Sequence, residues 1–302
     1  RKNAHPLQSQ FSKKLNSKTE DLLMLSSGLG KYIAPTALGA GYAIAKMLSL
    51  RALDTELAIA QDFTYQFLAG ILLGFALRPV TNQIYWKRTT SILFFSMFLL
   101  ILGPVGQILR RLIWGNPFDD TFWLLLFPEI IAAIAVSILA TILLPAPQQT
   151  ISPGLLWRRL QKEINLSGLL KLFGCGFLYA ILFLIFQSTF DESFASPFWL
   201  GRLQELLSLP PISAQAKVLL LFGQGFLNAL ILLPLFLVFF REKVELIVVF
   251  GSLSFVVADF SPAFANFQRI EPLLLVDQVF IGFCLHFLFV TAAVFCFGRN
   301  EK

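Results

Sequence analysis

Four carboxylates fall inside apolar runs of the sequence: Asp62, Glu129, Asp259 and Asp277. A carboxylate in hydrocarbon costs at least a few kcal/mol, so each is a candidate for holding a proton or a cation. Glu129 shares a helical face with Ala132, Ala133, Val136 and Ala140. Such a stripe of small residues admits a neighbouring helix and turns the acid toward protein rather than lipid. Asp277 is its expected partner, because two acids facing each other across an axis would share a proton or hold a cation. Gln224 and Asn228 lie four residues apart on one helical face, and Asp62 and Gln66 have the same spacing. His286 stands nine residues beyond Asp277, on nearly the opposite face, and is expected as a packed histidine. The competing expectation is structural: each acid pairs with an arginine or a backbone carbonyl and locks packing, Asp259 above all.

Other chemistries leave no trace in the spacing. There is no Cys-x-x-Cys, no His-Glu-x-x-His and no phosphate loop. Phe250-Gly251-Ser252-Leu253 is not the Gly-x-Ser-Gly of an intramembrane serine protease, and Asp259 and Asp277 lack the flanking glycine of the paired-aspartate proteases. Cys175, Cys284 and Cys296 all fall in apolar runs, where a thiol is a small packing group. No metal or cofactor is expected, and an intramembrane or lipid-modifying enzyme dependent on His286 or Asp259 stays as the least favoured reading.

The elements that must position the acids are membrane spans. Hydrophobic residues make up 56% of the 302 and charged residues 14%, against about 25% charged in a soluble domain. Eight apolar segments are predicted at roughly 31–50, 57–79, 90–109, 121–145, 167–187, 216–240, 244–262 and 272–297, each near the length that crosses about 30 Å of hydrocarbon. Trp86, Trp114, Trp123, Trp157 and Trp199 fall near segment ends, where amphipathic rings favour the headgroup level. Residues 1–30 are polar and basic, without the apolar core of a signal peptide, and form a cytoplasmic segment with an amphipathic helix.

Basic residues divide 17 to 7 between alternate connections, which predicts both termini in the cytoplasm. That count places Lys46 and Arg110 on the outer side. The net charge of +6 is spread over these connections rather than gathered in a stripe, so nucleic acid is not an expected partner. Pro153 opens a short helix with Leu156, Leu160 and Ile164 on one face, and Arg158, Arg159 and Lys162 are expected to turn toward anionic headgroups. A second surface helix is expected from Ser196 to Leu209 on the outer side.

The two halves of the chain resemble each other. Ser27-Gly28-Leu29 matches Ser167-Gly168-Leu169, and 7 of 26 positions from Leu48 to Leu73 are identical at an offset of 159. Ser96 and Pro104 match Ser254 and Pro262 at 158, and Glu129 matches Asp277 at 148. Length changes then fall in the outer connections. Four spans is an even number, so the halves are expected in parallel about an axis along the membrane normal. The expected fold is all-α: a cytoplasmic segment 1–30, a four-helix repeat 31–150 and a second repeat 151–302.

A transporter or channel-like protein is the leading functional expectation, with Glu129, Asp277, Asp62, Asp259, Gln224 and Asn228 as candidates for ion coupling. The alternative is a non-catalytic subunit that anchors a larger membrane complex. An energy-transducing membrane such as the bacterial inner membrane is the expected location, with anionic lipids and other membrane proteins as partners.

Overall fold

A computed structural model describes residues 32–53, 63–81, 86–114, 120–144, 153–190, 213–239, 242–265 and 272–298. Every element among them is helical. We number them α1 (Tyr32–Leu53), α2 (Phe63–Thr81), α3 (88–114), α4 (Asp120–Leu143), α5 (Pro153–Glu163), α6 (Leu166–Phe190), α7 (Ala214–Val238), α8 (243–265) and α9 (Pro272–Phe297). All except α5 are long and apolar enough to cross a membrane, eight helices among the described residues. They coincide with the eight predicted segments to within a few residues wherever both ends are described. The predicted helices before residue 31 and at 196–209 lie outside the described residues.

Local chemistry sets the boundaries. Ser213 caps α7 by accepting from the Ala216 amide at 3.2 Å, and Asn165 caps α6 by accepting from Gly168 at 2.8 Å; both use up amides that a helix start leaves unpaired. Pro153 opens α5, where a missing amide hydrogen costs nothing. Two helices change pitch partway. In α3, Ile101–Val105 form a π turn containing Pro104. In α8, Val256–Phe260 form another, and Pro262 follows. Proline removes an amide donor and crowds the carbonyl four residues back, and a widened turn absorbs that crowding. Gly174-Cys175-Gly176, by contrast, sits within continuous α-helix.

Glycine decides how closely the helices cross. A Cβ on Gly70 would lie 2.7 Å from Tyr42 Cβ and 2.8 Å from Gly39 Cα, so α1 and α2 touch backbone to backbone. The same construction recurs where α6 meets α7: a Cβ on Gly225 would lie 2.4 Å from Tyr179 Cβ and 3.1 Å from Gly176 Cα. Gly225→Ala is therefore expected to force the helices apart at a cost of about 1–3 kcal/mol. A lowered melting temperature in detergent checks it; an unchanged one would mean the crossing has slack.

Beyond these pairs, α3 packs on α4, α8 on α9 and α6 on α9. The segment after each π turn reaches elsewhere: residues 106–114 pack on α7, and residues 261–265 pack on α2. The two π turns also touch each other. One continuous apolar core runs through all of this, with Phe98, Phe236, Phe250 and Phe289 fully enclosed. Outward faces carry Leu93, Phe177, Ile185, Leu219 and Phe295, apolar side chains left exposed, which is compatible with helices that cross a membrane.

Several surface residues are held by protein. Arg159 donates from Nη1 to the Leu237 carbonyl at 3.2 Å and caps the end of α7. Arg158 and Lys162 on α5 are exposed, while Leu156 and Leu160 pack on the core. Trp86 lies just before the start of α3 and is buried against Phe94, ring centroids 4.8 Å apart. Lys46 and Arg110 belong to no loop, and both serve the site described next.

Candidate functional site

Glu129 projects from α4, one turn before the buried stripe Ala132, Ala133, Val136 and Ala140, and faces α1 as that stripe predicts. Tyr42 donates to its Oε2 at 3.0 Å. Lys46, one turn along α1, donates to its Oε1. Lys46 is 2% exposed and Glu129 12%, so the pair is withdrawn from water. The ammonium also lies 5.6 Å from the Tyr42 ring centre, in reach of its negative face. Gly41 meets Leu139 while Lys46 meets Glu129, so α1 and α4 run antiparallel.

A second carboxylate cluster lies beside the first. Asp259 occupies the π turn of α8, and its Oδ1 accepts from Arg110 Nη1 at the end of α3. Its Oδ2 lies 2.9 Å from His286 Nε2 on α9, close but without the alignment of a full hydrogen bond. Asp259 is 4% exposed, His286 1% and Arg110 20%. Gly282 makes this possible, because a Cβ there would stand 2.6 Å from Oδ2. Tyr179 from α6 closes the site, its ring centre 6.5 Å from that of His286. Gln224 from α7 reaches Gly106, one turn before Arg110. Among the described residues, the Tyr179 hydroxyl, Arg110 Nε, Gln224 Oε1 and His286 Nδ1 are buried without hydrogen-bond partners.

Ser261 joins the clusters. Its side chain lies beside Tyr42, and it stands two residues from Asp259. Two carboxylates, two fixed cations, two tyrosines and a histidine thus form one polar layer inside otherwise apolar helices. The formal charges of the two carboxylates and the two cations cancel. Such groups can exchange a proton or trade ion-pair partners, and each trade would move a helix.

Of the expected residues, Glu129 and Asp259 stand in the layer, Gln224 lies at its edge, and Asn228 is buried one turn further along α7. Asp62 lies outside the described residues, and so does the side chain of Asp277, whose backbone belongs to α9. Asp259 does take an arginine, as its structural expectation held. Sequence reasoning missed Lys46, Arg110, Tyr42, Tyr179, Ser261 and Gly282. One signal was available: Gly39-Ala40-Gly41-Tyr42-Ala43-Ile44 and Gly176-Phe177-Leu178-Tyr179-Ala180-Ile181 share glycine, tyrosine, alanine and isoleucine. Among the described residues no three His, Cys, Asp or Glu side chains gather as a metal site.

The architecture defines a class, an all-helical chain with eight helices fit to cross a membrane, compatible with an integral membrane protein. The chain matches no family model, no curated protein and no solved structure.

Proposed function

We propose that this chain is a membrane transport protein built of two parallel four-span halves, and that the polar layer couples a proton or cation to helix movement. The observation that carries the proposal is the layer itself. Two carboxylates sit in buried ion pairs between helices, and Ser261, two residues from Asp259, stands beside Tyr42 of the first pair. Charges in a bundle interior are costly to keep, and transport is the use that most often retains them.

Packing supports the two halves and suggests a better register for them. Gly39 and Tyr42 correspond to Gly176 and Tyr179 at an offset of 137, each pair seated on the glycine of the following span. Gly70 and Pro79 correspond to Gly225 and Pro234 at 155, and the π turns begin at Ile101 and Val256, again 155 apart. Buried positions of α4 and α9 correspond at 153, from Ala132 and Leu285 to Leu144 and Phe297. Under this alignment Glu129 corresponds to Gly282 and Asp259 to Pro104, so the working acids are Glu129 and Asp259, one per half. Length changes still fall between spans one and two and between three and four. Both termini then lie in the cytoplasm, and Arg158 and Lys162 on α5 face anionic headgroups there.

Proteoliposomes on a solid-supported membrane, challenged with monovalent cations, anions, amino acids and sugars across a pH step, test the reading. Wild-type protein is expected to give substrate-dependent currents. Glu129→Gln and Asp259→Asn are expected to lower them at least about tenfold, as the loss of a coupling group would, while still eluting as one species. Wild-type currents in both variants would overturn it.

The subunit reading is favoured by one observation: Glu129 has both oxygens paired, as a rigid scaffold needs. Native mass spectrometry after mild extraction separates the two, because a stoichiometric membrane partner together with silent liposomes would make the layer structural.

A further inference from the structure

Asp259 is shared by two basic groups that differ in their freedom to leave. His286 is short, 1% exposed and carried mid-helix on α9. Arg110 is long, 20% exposed and stands near the end of α3. The imidazole edge facing the carboxylate is Nε2, so the neutral ring is assigned its hydrogen there, and Nδ1 is left bare with no partner among the described residues. A bare nitrogen on an imidazole whose other edge faces a carboxylate is an acceptor for a proton.

We propose that His286 and Asp259 form a proton-binding site, and that a proton taken up on His286 Nδ1 releases Arg110 from Asp259 and unlatches the end of α3 from the π turn of α8. The proton comes from water at the Arg110 end of the bundle, and no covalent bond between heavy atoms is made or broken. With His286 neutral, Arg110 and Asp259 cancel. With His286 protonated, two cations face one carboxylate in a site nearly closed to water, an arrangement that is unstable until one of them leaves. Arg110 is the one that can, because its aliphatic stem reaches toward the aqueous edge while the guanidinium remains solvated.

Among the described residues the groups facing this site are Arg110 from α3, Tyr179 from α6, Gln224 from α7, Asp259 and Ser261 from α8 and His286 from α9. Helix α2, which packs on the same π turn, carries the buried Gln66 and sets Tyr65 against Phe264. Lys46, Glu129 and Tyr42 form a closed neutral set on the far side of Ser261. None of these supplies a second carboxylate that would hold Arg110 once His286 is charged. The latch matters because the π turns of α3 and α8 touch, so parting the ion pair frees two helices at their point of contact. The use of this site in coupling rests on the transport reading; proton binding and helix release do not.

His5 and His286 are the only histidines, so in a His5→Gln background the imidazole resonances report on His286 alone. Nitrogen NMR in nanodiscs from about pH 4 to pH 9 is expected to show one titration from an Nε2–H ring to the charged form. Hydrogen exchange of segments 106–114 and 261–265, compared at equal pH with His286→Gln, is expected to rise about tenfold on the acid side. Arg110→Gln should exchange fast at every pH, which keeps the test valid if His286→Gln fails to fold. A His286 that does not titrate in that range overturns the proton site. Titration with unchanged exchange overturns the latch. Titration and loosening without any current would sustain this proposal and remove the transport reading, whereas full pH-driven current in His286→Gln would keep the transport reading and overturn the use of this site in coupling.

Discussion

Replacing Lys46 by methionine is expected to cost about 3–5 kcal/mol of stability, the largest effect of any single change in the first half. Methionine fills nearly the same space, so the loss is electrostatic rather than a cavity. Glu129 would keep only the Tyr42 hydroxyl, and a carboxylate with one neutral donor cannot offset its desolvation. Lys46 itself, 2% exposed, has no route to water, so Glu129→Leu should cost as much. The pair Lys46→Met with Glu129→Leu is expected to recover most of that loss, because an apolar pair of similar volume replaces an ion pair at little cost. Thermal unfolding in detergent, read as a double-mutant cycle, decides it. A Lys46→Met protein as stable as wild type would mean that water reaches Glu129. The double variant also asks a functional question, since a restored fold with no current would mark the charges as working parts.

Asp259→Ala is the second large expectation, at about 3 kcal/mol. It leaves Arg110 and His286 together without their shared acid. The cost falls below that of Lys46→Met because Arg110, 20% exposed, can withdraw toward the edge of the bundle. Arg110→Met in the same chain is expected to bring stability back to within about 1 kcal/mol of wild type. Failure of that rescue would show that Asp259 is held mainly by His286 and by its seat on Gly282.

The spans were legible because their signal is local and long: a run of apolar residues says how far the chain goes without saying what it touches. The protein-facing side of Glu129 was legible for a similar reason, since Ala132, Ala133, Val136 and Ala140 repeat its face along one helix. Partners were not. Lys46 lies four residues from the predicted end of its span, where a lysine reads as a topology marker, and its acid is 83 residues away. Arg110 fell one residue beyond a predicted boundary. The proposed alignment of the halves differs by four residues, one helical turn, from the one that leucine and phenylalanine identities suggest. Such residues are common on every face of these helices and carry little positional information. Gly70 and Gly225 carry more, because each is the only residue type its helix crossing can accommodate without movement.

The ion pair between Arg110 and Asp259 joins residues 149 apart in the chain. At a synthesis rate of 5–20 residues per second, Arg110 leaves the ribosome about 7 to 30 seconds before its acid does. Lys46 and Glu129, 83 apart, meet within the first half and can close while the rest is still being made. The nascent protein therefore passes through a stage in which one charge cluster is complete and the other holds an arginine with nowhere to bind. Until α8 is made, the end of α3 must carry that arginine without its acid, and arrival of the second half is the event that pairs it.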